Sequence, residues 1–154
     1  MSYETLLYLH LASAFLFVGG SLAAAVLRVA ALGRAEAREI AVLLRAVRPA
    51  VPLVGAGLLG TVGFGFGLAS ELDVDYGATW LSATFALLAW MVVVGALAGR
   101  QDRRTRELAE RLAREGGSVE ALRRRLRDPL NLALNVSLLL ATAAVVALMV
   151  WKPA

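Results

Sequence analysis

Four apolar runs alternate along this chain with segments that hold nearly all of its charge. The runs cover about Tyr3 to Leu27, Ala50 to Ser70, Trp80 to Gly99 and Leu130 to Trp151. Each is close to the ~20 residues that cross ~30 Å of hydrocarbon at 1.5 Å per residue. Apart from Glu4 at the edge of the first, none carries Lys, Arg, Asp or Glu. Backbone groups have no water to bond in lipid, so such runs are predicted to be helices, each satisfying its own peptide groups. The expectation is an all-α polytopic membrane protein. It is a single domain over 1–154, a four-transmembrane-helix bundle with charged loops 28–49 and 100–129.

Charge orients the bundle. All fifteen arginines fall in those two loops, which places both on the cytoplasmic side by the positive-inside rule. The opposite turn carries Glu71, Asp73 and Asp75, joined on that face by Glu4, with Lys152 as its single positive charge. The N and C termini are therefore expected outside. Tyr3, Tyr76, Trp80 and Trp151 fall at the same rim, where amphipathic rings favour the headgroup level. The expected address is the cell inner (plasma) membrane.

The loops predict amphipathic surface helices. In 34–48, Leu32, Ile40, Leu43, Leu44 and Val47 form a stripe, while Arg34, Arg38, Glu39 and Arg45 face water. A separate helix is expected over 101–115, with Leu108 and Leu112 on one face and Glu107–Arg111 and Glu110–Arg114 pairs at i,i+4. Gly116-Gly117 ends it, Ser118 caps the next short helix, and Asp128-Pro129 opens the last span. The net charge of +4 does not indicate nucleic acid, because 59% of residues are hydrophobic and the arginines lie beside the membrane. The expected partners are membrane lipids, with anionic headgroups at the basic loops at ~1 kcal/mol per charge, and a second copy of the chain in a homo-oligomer.

Within the spans, the second is rich in glycine. Ala56, Gly60, Gly63 and Gly67 share a face on which another helix, or a flat prosthetic group, can lie close. The third carries Ser82, Ala86, Ala89, Val93 and Ala96 at heptad-like spacing, a predicted packing seam, with Trp90 mid-span. On the fourth, Asn131, Asn135, Thr142 and Met149 fall on one face, a polar stripe expected to point inward.

His10 is the only histidine and lies about 10 Å into the first span. Ser13, Ala14, Phe17, Ser21 and Ala24 continue its face and leave room beside the ring. Two readings stand. In one, a neutral imidazole bonds a neighbouring carbonyl or hydroxyl. In the other, His10 ligates haem iron or copper, with Met149 as a soft second ligand. On the second reading, Ser13, Phe17, Gly60 and Gly63 would form the pocket wall. Cysteine is absent, which removes disulfides and thiolate sites. No H-E-x-x-H, nucleophile elbow or P-loop is present, so no catalytic residue is assigned.

Several of these residues resemble a known group. His10 followed by small and aromatic residues and Gly19-Gly20 is similar to the first span of copper-resistance D-type membrane proteins and of the HemJ-type protoporphyrinogen oxidase. Tyr76-Gly77-Ala78-Thr79-Trp80, Arg127-Asp128-Pro129 and Met149-Val150-Trp151-Lys152-Pro153 resemble a related family of predicted four-span integral membrane proteins of unknown function. The resemblance implies a four-span fold and, from relatives with assigned roles, haem b or copper at the position of His10. It does not extend to the oxidase activity, because the second span here lacks the ionisable residue of that type. Three functions remain: a non-catalytic membrane module or accessory subunit, a haem b- or copper-binding redox protein using His10, and an oligomeric channel or carrier.

Overall fold

Many large apolar side chains of this protein point outward along its long helices, and its tightest apolar core sits at one end. In the computed structural model, which describes residues 1–152, Phe15, Leu59, Tyr8 and Val150 each expose more than two thirds of their surface. Ala31, Ile40, Ala109 and Leu122, with no exposed surface, cluster at the arginine-rich end, and Thr84 and Val94 are as deeply buried within the third span. Exposed apolar belts of this size are stable when the surrounding solvent is lipid. Four helical stretches are long and apolar enough to cross a membrane.

Among the described residues there are six helices: α1 (Tyr3–Leu32), α2 (Ala37–Ala46), α3 (Ala50–Glu71), α4 (Thr79–Glu115), α5 (Glu120–Leu126) and α6 (Pro129–Trp151). Helices α1, α3, α4 and α6 are the four spans, and α2 and α5 lie at the basic end. The structure thus has the all-helical, four-span architecture that the apolar runs predict. Local signals set its boundaries. Ser2 Oγ accepts from the Thr5 N–H at the start of α1, and the Asp128 carboxylate accepts from the Leu130 N–H with Pro129 in the first turn of α6. Gly116 and Gly117, at φ of +75° and +126°, end α4, and Ser118 Oγ then accepts from the Glu120 N–H.

One boundary differs from expectation. The helix predicted over 101–115 is not separate, because α4 runs unbroken for 37 residues from the acidic rim to the glycine pair. Gly99 is the one weak helix former at the junction, and a lone glycine costs only about 1 kcal/mol in a helix. The ion pairs differ as well. Glu107 bonds Arg103 at 3.1 Å, and Glu110 reaches across to Arg45 of α2 at 3.5 Å. Docking of α2 on α4 brings Arg45 within reach of Glu110, which the predicted Glu110–Arg114 pair did not anticipate. Ile40 and Leu44 of α2 and Val47 just after it are buried, as the stripe predicts.

The spans pack as two pairs, α1 with α3 and α4 with α6, joined mainly along α1 and α6. The α1–α3 seam is the tight one. A Cβ at Gly57 would stand 2.5 Å from the Phe17 amide nitrogen and 2.8 Å from the Ser13 carbonyl oxygen, so backbone meets backbone there. Gly20 and Gly60 are likewise filled from the partner helix, by Val54 and Ser13. The predicted glycine face is rotated: Gly60 and Gly67 contact α1, but Ala56 is exposed and Gly63 has nothing near it.

The predicted seam of α4 is also displaced. Ser82, Ala86, Ala89, Val93 and Ala96 are all exposed, and the inward face is Leu81, Thr84, Met91, Val94 and Ala98. Small residues belong in a seam only where helices touch closely. The helix pairs stand apart, and the larger inward residues reach across the gap. Replacing Gly57 by Ala is expected to cost about 1–3 kcal/mol of stability, and Gly63→Ala, whose Cβ meets nothing, to leave it unchanged or raise it by up to about 1 kcal/mol. Thermal unfolding in detergent measures both, and equal shifts would mean that the seam is misplaced.

Candidate functional site

Because the two pairs stand apart, space remains between them, and a central plug divides it. Phe17, Met91, Ala141 and Val145 form the plug, with Leu58, Leu87, Leu88 and Leu138 packed against it. A cavity of about 360 Å³ lies on either side. Both have the size of small-molecule sites.

The outer chamber lies toward the acidic rim. Its walls include Phe66 and Phe85, stacked at 5.1 Å between ring centres, and Trp80, with the Lys152 ammonium 5.7 Å over its ring. His10 and Met149 both line it. The His10 ring is fixed by its Nδ1, 2.9 Å from the Thr61 carbonyl oxygen. A carbonyl only accepts, so Nδ1 carries the proton and Nε2 keeps its lone pair. Gly65 makes this approach feasible, since a Cβ there would crowd the imidazole at 3.2 Å. The carbonyl partner of the first sequence reading of His10 is present. The ring has a carbonyl partner, and the same bond leaves the other nitrogen basic, which is how ligating histidines are commonly oriented.

The inner chamber runs from the plug to the arginine-rich end. There Arg28 of α1 donates to the Asp102 carboxylate of α4 and to the Asn135 side-chain oxygen of α6. Asn135 in turn donates to Asn131, 2.8 Å to its carbonyl and 3.1 Å to its side-chain oxygen. This corrects the reading of Arg28 as a loop residue: α1 continues to Leu32 and carries Arg28 inside, half-buried. The helix-six stripe does point inward, with Asn131 and Thr142 buried. The Thr142 hydroxyl bonds its own helix at the Leu138 carbonyl, 2.9 Å away.

The remaining expected pocket residues divide between other places. Ser13 packs into the α1–α3 seam beside Gly60. Phe17 belongs to the plug and lines the inner chamber, while Gly63 faces outward from the bundle. Residues that the sequence did not flag are Thr61, Gly65, Arg28 and Asp102. For Arg28 a signal existed: the face His10, Phe17, Ser21, Ala24 continues one turn later to position 28. Pro153, part of the closing motif, lies outside the described residues.

The sequence profile of a family described as "Predicted integral membrane protein (DUF2269)" matches residues 4–153. The chain belongs to this family. No curated protein and no solved structure matches the chain. Family membership agrees with the four-span fold and adds no activity to it.

The Arg28–Asp102 pair yields a stability test. Removing one partner strands a half-buried charge, so Arg28→Leu and Asp102→Leu are each expected to cost about 1–3 kcal/mol. The double variant should lose clearly less than their sum. A double-mutant cycle on unfolding in detergent measures this, and strict additivity would mean that the two groups do not interact.

Proposed function

We propose that this protein is a non-catalytic, multi-pass membrane module of the plasma membrane that holds a prosthetic group between its helix pairs, and that the group in the outer chamber is haem b bound through His10. The observation that carries the reading is the His10 ring, turned by the Thr61 carbonyl so that Nε2 is free for a ligand in an aromatic-walled cavity. The arginine-rich end faces the cytoplasm on this reading, and the His10 chamber opens toward the outer leaflet.

The donor set favours haem over a bare ion. Among the described residues no three His, Cys, Asp or Glu side chains converge, so copper would have only His10 and Met149 from this chain. A porphyrin brings four nitrogen donors of its own and asks the protein for one or two axial ligands. Phe66, Phe85 and Trp80 suit a flat macrocycle, and Met149 stands on the same chamber. When bound, the group would supply a one-electron centre. This chain would supply the axial nitrogen, hold its tautomer and exclude water with apolar walls. A channel finds less support, because the plug of Phe17 and Met91 closes the path between the chambers.

Protein expressed with ample haem and purified in detergent is expected to show a Soret band, lost in His10→Ala. Met149→Ala should keep the band and alter its low-spin features. A colourless preparation would overturn the haem reading and leave an unliganded module. A band unchanged in His10→Ala would move the ligand elsewhere.

A further inference from the structure

Glycine is a costly residue in a helix, losing about 0.5–1 kcal/mol relative to alanine. In this protein Gly20, Gly57 and Gly60 meet that cost with close helix contact. Gly55, Gly95 and Gly99 do not. A Cβ at any of the three would meet nothing within 4 Å, yet all three line the inner chamber. Gly55 is on α3 and the other two are on α4, so they flank the gap between the helix pairs from opposite sides. The result is a smooth-walled slot. Val51, Gly55, Val92 and Gly99 are exposed at its edge, which leaves it open to the side where acyl chains lie.

The slot ends in one polar cluster, made by Arg28, Asp102 and Asn135. Inside the cluster one guanidinium faces one carboxylate, and Arg106, one turn further along α4, also acts on Asp102. A phosphate or fatty-acid carboxylate entering there would face Asp102 as well as Arg28. An uncharged head that both accepts and donates hydrogen bonds is matched by the cluster, which offers N–H groups and carboxylate and amide oxygens together. The slot thus asks for a flat ring, an apolar tail leaving sideways into lipid, and ring oxygens that are carbonyls in one form and hydroxyls in another.

We infer that the inner chamber is a binding site for a lipid-soluble quinone, its ring between Gly55 and Gly95 and a ring oxygen at the Arg28–Asp102–Asn135 cluster. The site is separate from the His10 chamber, beyond the Phe17–Met91 plug, and it stands whether or not haem binds there. Binding alone is claimed, with no electron transfer.

The test uses the full chain in lipid nanodiscs titrated with decylubiquinone in its oxidised and reduced forms, with empty nanodiscs as the blank. Saturable binding is expected. A Cβ at Gly95 or Gly55 meets nothing within 4 Å, so Gly95→Leu and Gly55→Leu each put a side chain into the slot and should keep wild-type helicity and weaken binding about tenfold or more. His10→Ala should bind as the wild type does, which separates failure here from failure of the haem reading. Absence of saturable binding, or wild-type affinity in both leucine variants, would overturn the assignment. So would equal displacement by monoolein, which would make the slot a glyceride site. Loss of a dimer in Gly95→Leu without any quinone binding would instead give the face to a second copy of the chain.

Discussion

Helix α1 makes a polar bond to each of the other three spans. His10 reaches the Thr61 carbonyl of α3, and Arg28 reaches Asp102 of α4 and Asn135 of α6. Most span hydroxyls contribute nothing between helices. Ser21, Thr61, Thr84 and Thr142 each return their proton to a carbonyl one turn back in their own helix. Lipid tails are as apolar as the side chains they would replace, so burial of leucine cannot hold such helices together. The arrangement therefore depends on α1 as a hub: backbone contact and the His10 bond hold α3, and the Arg28 bonds hold α4 and α6, the two polar anchors lying 18 residues or five turns apart on the same face.

Two solvents shape the two ends differently. At the basic end, water drives Ile40, Ala31, Ala109 and Leu122 into a core with no exposed surface. Along the spans that force is absent, and the pairs remain separated by chambers that only the plug interrupts. A protein with a tight aqueous cap and a loosely filled membrane interior is suited to holding something other than itself.

The spans were legible because hydrophobic length is a direct consequence of bilayer thickness, and the basic loops because their arginines are unmistakable. The polar stripe on α6 was also legible, since Asn131 and Asn135 have no favourable place facing lipid. Helix rotation was not. Small residues occur on several faces of α3 and α4, and sequence spacing alone does not say which face meets a helix, a cavity or lipid. Gly57 and Gly63 look alike in sequence, yet one carries a backbone contact and the other carries none. Arg28 was hidden for a different reason. Its charge counted toward the orientation rule, and that reading removed it from the bundle although its helical face leads straight back to His10.

Helix α4 contributes Trp80 and Phe85 to one chamber, Gly95 and Asp102 to the other, and Ala109 to the water-side core, in 37 residues without a break. At 1.5 Å per residue it is a rod of about 55 Å. A rod without a hinge cannot adjust one end and leave the other in place. A rigid tilt of α4 at the outer rim would therefore also displace the collar where α2 and α5 rest.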